Sequence, residues 1–581
     1  MAGTTYFANV NPELLDWLPL DAGTLVEIGC GTGSLGAAYR ARNPASRYGG
    51  VELHPEAADA ARPVLDWVVT GDIEQPAVVE RLAAALSGQP ADVLVFGDVL
   101  EHLHDPWGCL ARLRQQVRPG GTCVACIPNV AHWSLLLQQL QGRWDYADQG
   151  LLDRTHLRFF TLETAIELFR GAGWTVLDAK PRIIQPDKTR QAVELFTSLA
   201  DRLGTAPERI RQNLSPLQWV IRAVNGPVPT RLHVAGFGLR KQAGVTEARI
   251  DHPLRALASL PHSRVIHSEQ GISLPTDWAA GVLILQRQFL IHPPFIQSVQ
   301  KLIDKGWVII QDMDDDPHHW REFVESDFYA YRAVHAVTVS TEPLAAMIRA
   351  WNPEVRLFAN AIHQLPLIPA TVPKQGGRIR IFFGALNREA DWRPLQTVWQ
   401  HLADQRGDAI EFVVVHDQAF FAALPSGCAK VFHPTLPQPD YMKVLASCDL
   451  ALLPLRDTPF NRMKSDLKFI ECCAAGVVPV CSSLIYADRP EHRDIGWFAD
   501  TAADWLAALL AATADPAALA GRRALGLDYV KTRRMQAGQV RERAAYYQAL
   551  IADRTRLEQA RQARLAAIPA RFNPLQSTIS Q

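Results

Sequence analysis

The chain has 581 residues, more than one hydrophobic core normally serves, so roughly three or four domains are expected. With 48% hydrophobic and 20% charged residues it has a globular composition, which excludes a disordered or fibrous chain. A formal net charge of -1 supplies no global positive field, which excludes a dedicated nucleic-acid binder.

Nine cysteines, with Cys472 and Cys473 adjacent and the rest scattered through apolar runs, predict reduced thiols rather than a disulfide framework. Cys123-Val124-Ala125-Cys126 has zinc-knuckle spacing without a second pair, and its apolar setting predicts a buried strand instead. The opening Met1-Ala2-Gly3-Thr4-Thr5 lacks a basic region followed by an apolar core, so no signal peptide is expected. No apolar stretch approaches the roughly 20 residues that span a bilayer. The expected location is cytoplasmic, with any contact to the inner face of the membrane peripheral.

In chain order, Leu25–Ile28 is a short strand that runs into Gly29-Cys30-Gly31-Thr32-Gly33, followed by a helix over 34–42. Glycines at 29, 31 and 33 let the backbone approach a ligand where a Cβ would collide. A second strand ends at Glu52, placed to accept hydrogen bonds from ribose hydroxyls. A third precedes Gly71-Asp72-Ile73, a polar-apolar pair suited to an adenine. A fourth, over 92–97, leads into Asp98-Val99-Leu100-Glu101-His102-Leu103, and Arg118-Pro119-Gly120-Gly121 turns into a fifth.

Taken together, these motifs over about residues 20 to 180 resemble the class I S-adenosylmethionine-dependent methyltransferases. The resemblance implies that Gly29, Gly31 and Gly33 border the methionine part of S-adenosyl-L-methionine and that Glu27 belongs to the same cofactor site. It implies likewise that Glu52 binds ribose, Asp72 and Ile73 flank adenine, and Asp98 lines the cleft floor. A dinucleotide dehydrogenase is the rival, weakened because the third glycine of GxGxxG is missing. The segments 127–132 and 150–161 look like substrate-side insertions of methyltransferases of bacterial polysaccharide synthesis. A neutral hydroxyl needs a base to attack a sulfonium carbon, and His156 and His102 are candidates with Asp153 orienting. Against this stands a packing role for His102 and a structural ion pair of Asp153 with Arg158.

From Pro181 to about Pro229 the pattern is helical and amphipathic, and Asn225-Gly226-Pro227-Val228-Pro229 looks like a linker. Strands over 281–285, 307–311, 333–340 and 355–358 then alternate with helices. After the Pro366–Gly377 stretch a second alternation has strands over 378–383, 411–415, 429–432 and 449–454. Such alternation predicts two parallel sheets with a ligand cleft between them. Asp312-Met313-Asp314-Asp315-Asp316 is open to three readings: a metal site, hydrogen bonding at the hinge or acceptor, and a solvated loop.

Lys464, Lys468 and Glu471, read as one helix, would share a face before the strand Val477–Val480. Two cations and a helix N-terminus can neutralise a diphosphate. The constellation resembles the group 1 retaining glycosyltransferases of GT-B fold over about residues 245 to 550. It implies a nucleotide-diphosphate sugar donor, with Glu471 on the ribose and Lys464 and Lys468 on the diphosphate. Gly384, Asn387 and Arg388 would close the other side. That family often carries an earlier glutamate where this chain has Met463, and Asn461 or Ser465 stands to substitute. No metal is expected at either site. A basic-acidic helix over 541–567 would cross back to the first glycosyltransferase domain or stay exposed, with disorder after Pro569.

The expected organisation is an α/β chain with a Rossmann-like methyltransferase domain (1–180), a helical extension and linker (181–244), and the GT-B acceptor domain (245–375). The GT-B nucleotide-sugar domain (376–545) and a C-terminal helix and tail (546–581) complete it. The function expected from the resemblances is bifunctional: methyl transfer to a sugar hydroxyl and glycosyl transfer to a glycan or lipid-linked saccharide. The alternatives are a single activity with one module kept as a glycan-binding scaffold, and a natural-product tailoring enzyme.

Overall fold

The computed structural model describes residues 10–200, 202, 204–239, 245–271, 273–278, 280–366 and 377–575. The chain start and the boundaries expected at 244 and at 375–376 lie outside the described residues, as does most of the Pro366–Gly377 stretch. The chain divides into two compact units, one running to Arg231 and including Ala258–His262, the other taking in Leu232–Leu257 and residues from Ser263 onward.

The first unit is built on strands β1 (Thr24–Ile28), β2 (Arg47–Glu52), β3 (Trp67–Thr70), β4 (Ala91–Gly97), β5 (Val117–Pro128), β6 (Thr175–Arg182) and β7 (Gln218–Val224). They form one sheet in the order β3-β2-β1-β4-β5-β7-β6. The first five strands run parallel, and β7 runs antiparallel to both β5 and β6. The central strands are near-continuous apolar runs because helices cover both faces, and β4 and β5 are buried along most of their length. Cys123 and Cys126 sit fully buried inside β5.

Here the structure departs from the helical extension expected over 181–244. Helices do form over Pro186–Thr197 and Pro207–Leu214, but Gln218–Val224 returns as β7 between β5 and β6. The first unit therefore extends to Arg231 rather than ending at 180. The segment expected as linker is followed at once by a strand of the second unit.

The second unit holds two six-stranded parallel sheets. One takes β8 (Leu232–Phe237), β9 (Ser263–Ser268), β10 (Val282–Gln286), β11 (Val308–Met313), β12 (Ala336–Val339) and β13 (Val355–Leu357) in the order β13-β12-β11-β10-β8-β9. The other takes β14 (Ile379–Gly384), β15 (Ile410–Val415), β16 (Ala429–His433), β17 (Leu450–Leu453), β18 (Val478–Cys481) and β19 (Trp497–Phe498) in the order β16-β15-β14-β17-β18-β19. Each sheet has its own apolar core.

The C-terminal helices Val540–Ala552 and Arg554–Ala566 lie against the first of these sheets. Arg561 and Arg564 donate to the carbonyls of Ala333 and Val334, and Glu558 meets His335 at 3.1 Å. Disorder was expected after Pro569, but Ala570–Phe572 is a 3-10 turn whose Phe572 packs on that sheet's core; 576–581 lie outside the described residues.

Two candidate donor sites

In the first unit, the turn after β1 has Gly29, Gly31 and Gly33 at φ +72°, +52° and +81°. A Cβ at Gly29 would meet Val99 Cγ2 at 2.5 Å, so glycine is required there twice over. Glu52, buried at the end of β2, accepts from the backbone N–H of Gly31 (2.8 Å) and of His54 (2.9 Å). Its carboxylate is thus fixed beside the glycine turn. Asp72 follows β3, and its Oδ1 accepts from Glu74 N–H, while Ile73 is buried in the apolar core.

Two further acids stand behind these. Glu27 is buried next to the Tyr48 hydroxyl at 3.1 Å, and burial pushes its carboxyl up to about 8 despite that hydrogen bond. Asp98 adopts φ +56° after β4 and accepts from the side chain of Gln218 on β7. Burial raises Asp98 to about 6, against the opposing pull of Cys126 and Arg182.

On the substrate side, the structure brings Glu101, His102, Asp153 and His156 together. Asp153 Oδ1 accepts from Thr155 N–H (2.8 Å) and Thr155 Oγ1 (2.7 Å), which holds it below the ordinary carboxylate value in spite of burial. The alternative of an ion pair between Asp153 and Arg158 is not what forms: Asp153 takes these bonds and Arg158 donates to the His104 carbonyl. His156 Nδ1 lies 3.2 Å from the Leu151 carbonyl, and a carbonyl only accepts, so Nδ1 carries the proton and Nε2 the lone pair. His102 Nδ1 meets the Thr155 carbonyl at 3.2 Å in the same way, and the two imidazole rings stand edge to face at 4.8 Å.

Glu101 was not singled out in the sequence, yet it is 1% exposed and neither carboxylate oxygen has a hydrogen-bond partner among the described residues. His156 Nε2 is 4.0 Å from Glu101 Oε1. Burial holds Glu101 well above the ordinary carboxylate value and His156 below the ordinary histidine value. No metal was expected, but one ligand atom from each of Glu101, His102 and His156 lies within 4.8 Å of the others, close enough to share a cation.

In the second unit, the residues expected to face a diphosphate are split between a turn and the helix Leu467–Ala474. The helix begins at Leu467 with Asp466 as its N-cap, so Lys464 lies in the turn and does not share a helical face with Lys468 and Glu471. Asp466 is pulled instead onto buried Arg534, whose NH2 contacts Oδ1 at 2.7 Å and donates also to the Asn360 carbonyl at 2.9 Å. Lys468 Nζ donates to Glu471 Oε2 (2.9 Å) and Tyr441 OH (3.1 Å). Burial alone would lower its ammonium, but Glu471 and Tyr441 outweigh it and hold Lys468 above the ordinary lysine value.

Gly384 ends β14, and its carbonyl accepts from Tyr441 at 3.1 Å; Asn387 follows at φ +56°. Arg388 donates to Asp391 (3.0 Å) and Asn461 Oδ1 (2.8 Å). Asn461 is spent in that network, since its amide also donates to Asp391 at 3.1 Å and the Arg456 carbonyl at 2.9 Å. It is not available to stand in for an acid at 463. Ser465 Oγ accepts from Asn360 at 2.8 Å.

The Asp312–Asp316 run is neither solvated nor one site. Asp312, buried in β11, is paired with Arg249 at 2.8 Å and accepts from Thr338 at 2.7 Å. Asp314 and Asp315 share Arg287, and Lys464 Nζ reaches Asp315. Asp312, Asp314 and Asp316 bond to residues of the β8–β13 part of this unit, and only Asp315, among the described residues of the run, also bonds to the 461–471 segment. Among the described residues no helix is long and apolar enough to cross a membrane.

Comparison with known proteins finds sequence relatives of the first unit. The family described as "Methyltransferase domain" matches residues 5–179. The chain is 28% identical over 186 residues to a ubiquinone biosynthesis O-methyltransferase of Cereibacter sphaeroides (strain ATCC 17029 / ATH 2.4.9), covering 31% of this chain and 71% of that protein. It is 31% identical over 121 residues to a trans-aconitate 2-methyltransferase of Azoarcus sp. (strain BH72), covering 20% of this chain and 44% of that protein. Among solved structures, the crystal structure of TarM aligns with 12% identity and TM-score 0.36 over 46% of this chain and 54% of that one. The N-terminal part of the chain is a class I S-adenosylmethionine-dependent methyltransferase domain, and its glycine turn and fixed Glu52 suit that cofactor.

Proposed function

We propose that the chain is a two-activity transferase, moving a methyl group from S-adenosylmethionine to a sugar hydroxyl in its first unit and a glycosyl group from a nucleotide-diphosphate sugar to a glycan or lipid-linked acceptor in its second. S-adenosylmethionine supplies an electrophilic methyl carbon on a sulfonium, and the products are a methyl ether and S-adenosylhomocysteine. Glu52 and the glycine turn bind and orient that donor. His156 Nε2, holding the lone pair, takes the proton lost by the attacking hydroxyl. The burial of the Glu101 and His156 side chains keeps bulk water from competing as acceptor.

The observation that carries the methyl-transfer half is the buried His156 imidazole, its Nδ1 on the Leu151 carbonyl, beside Glu101, a buried acid without a hydrogen-bond partner among the described residues. A second reading rests on the same trio: Glu101, His102 and His156 would seat a divalent cation that acidifies a coordinated hydroxyl. Chelation separates them. Activity that survives a chelator assigns the proton to His156 alone; activity lost and restored by added magnesium or zinc assigns it to the cation.

For the glycosyl half, the support is the cluster of Lys464, Lys468 and Glu471 at the end of a parallel sheet, with Arg388 near. When the bond from the anomeric carbon to the diphosphate breaks, its electron pair leaves with the phosphate, and the two ammonium groups stabilise that charge. Incubating the protein with methyl-labelled donor, a panel of nucleotide-sugars and saccharide acceptors, then resolving products by mass, tests both halves. Products carrying methyl but never a new sugar would reduce the second unit to a binding module.

A further inference from the structure

We infer that Asp315 supplies the sugar-facing carboxylate of the second unit's donor site, reaching it from the neighbouring sheet. This rests on the glycosyltransferase reading above. The residues of the 461–471 segment cannot provide that group. Met463 turns its side chain into the apolar core of the β8–β13 sheet, while its carbonyl accepts from Thr341 at 3.1 Å. Asn461 and Asp391 are consumed by each other and by Arg388 and Arg456. Asp466 is held by Arg534, and Glu471 by Lys468. Ser465 offers a hydroxyl but no charge.

Asp315 is ion-paired as well, but its two cations come from different sheets, and one of them, Lys464, stands at the proposed phosphate position. It follows β11, the strand whose end lies beside the ends of β12 and β10. Its Oδ2 is gripped by Arg287 NH2 at 2.8 Å, while Oδ1 points across to Lys464 Nζ. Arg287 is itself immobilised: it is 8% exposed, adopts φ +48°, bonds Asp314 at 2.6 Å and lies over the Trp320 ring at 5.2 Å. One oxygen of Asp315 is therefore fixed, and among the described residues the other is engaged only by the ammonium that a phosphate would claim. The same turn is held at two more points by the first sheet's strand ends, through Thr341 to Met463 and Asn360 to Ser465. A diphosphate arriving at Lys464 releases Oδ1 within reach of whatever is attached to that phosphate. On a nucleotide-sugar the attached group is a ring of hydroxyl donors, the partners a carboxylate binds best.

The test compares bare nucleotide with nucleotide-sugar. UDP, GDP and ADP, and their glucose conjugates, are titrated calorimetrically into the full chain and into Asp315→Asn and Asp315→Glu. Asparagine should leave the nucleoside diphosphate binding as tightly as before or tighter, because Lys464 is released. The matching sugar conjugate should weaken about tenfold relative to it, the scale of one charge-assisted hydrogen bond. Glutamate should restore part of that preference, which a merely structural role would not do. Equal shifts for both ligands would make Asp315 a plain counter-ion and overturn the inference while sparing the parent reading. Wild-type protein that binds none of the nucleotides ends both.

Discussion

The two donor clefts carry opposite electrostatics. The first gathers acids: Glu27, Glu52, Asp98 and Glu101 all cluster on the ends or flanks of β1, β2 and β4, and burial pushes three of them up toward their neutral forms. The second gathers cations, and each is already met by a partner: Lys464 by Asp315, Lys468 by Glu471, Arg388 by Asp391 and Asn461. In the first cleft charge depends on which acids keep their protons, and in the second a nucleoside diphosphate would have to displace carboxylates already paired with the cations. The lesson is that the first cleft is poised by proton occupancy and the second by exchange of ion pairs. Changes of pH should strain the one, and changes of salt the other.

The largest expected break is at His156. Replacing it with alanine should lower kcat for methyl transfer by about a hundredfold or more while leaving donor affinity near wild type, read from single-turnover methylation. A base works only when unprotonated, and burial sets His156 below the ordinary histidine value of about 6.5. Methyl transfer should therefore be at its plateau at neutral pH and fall on acidification, and the His156→Ala profile should lose that acid limb.

Next in size, Lys468→Ala should weaken nucleoside diphosphate binding by about ten- to a hundredfold and leave S-adenosylmethionine untouched, measured by calorimetry. Salt sharpens the contrast more gently. Raising ionic strength from about 0.05 to 0.5 M should weaken the nucleotide several-fold and the methyl donor much less, since screening acts on partly exposed ion pairs first. The smallest effect is thermal. Glu27, raised to about 8 in the folded state, contributes a stability that is complete at acid pH and lost as pH rises through about 8. Glu27→Gln keeps an acceptor for Tyr48, so it should melt close to wild type at pH ~5 and a few degrees higher at pH ~9 by calorimetric scanning.

Much of this was legible in the chain because it is local. The strand ahead of Gly29, the acid at 52 and the strand holding Cys123 and Cys126 are each set by runs of adjacent residues, and they stand where the periodicity predicts. What was not legible depends on distant partners. β7 was hidden because Gln218–Val224 follows two true helices and earns its strand only by pairing with β5 and β6. Lys464 read as helical because the sequence shows no proline or glycine between the short helix Pro459–Arg462 and the helix Leu467–Ala474, where the structure has a break. Glu101 gave no signal at all, since a lone glutamate beside a histidine is ordinary until its burial is known. Asp315 was visible within its acidic run, but its partner Lys464 lies on another strand's loop.

The most direct test is a crossed pair of titrations, S-adenosylmethionine and a nucleoside diphosphate each against wild type, Glu52→Ala and Glu471→Ala. Two independent clefts predict that Glu52→Ala removes only the first binding and Glu471→Ala only the second. Methyl-donor affinity left unchanged by Glu52→Ala, or a single substitution that abolishes both, would contradict them.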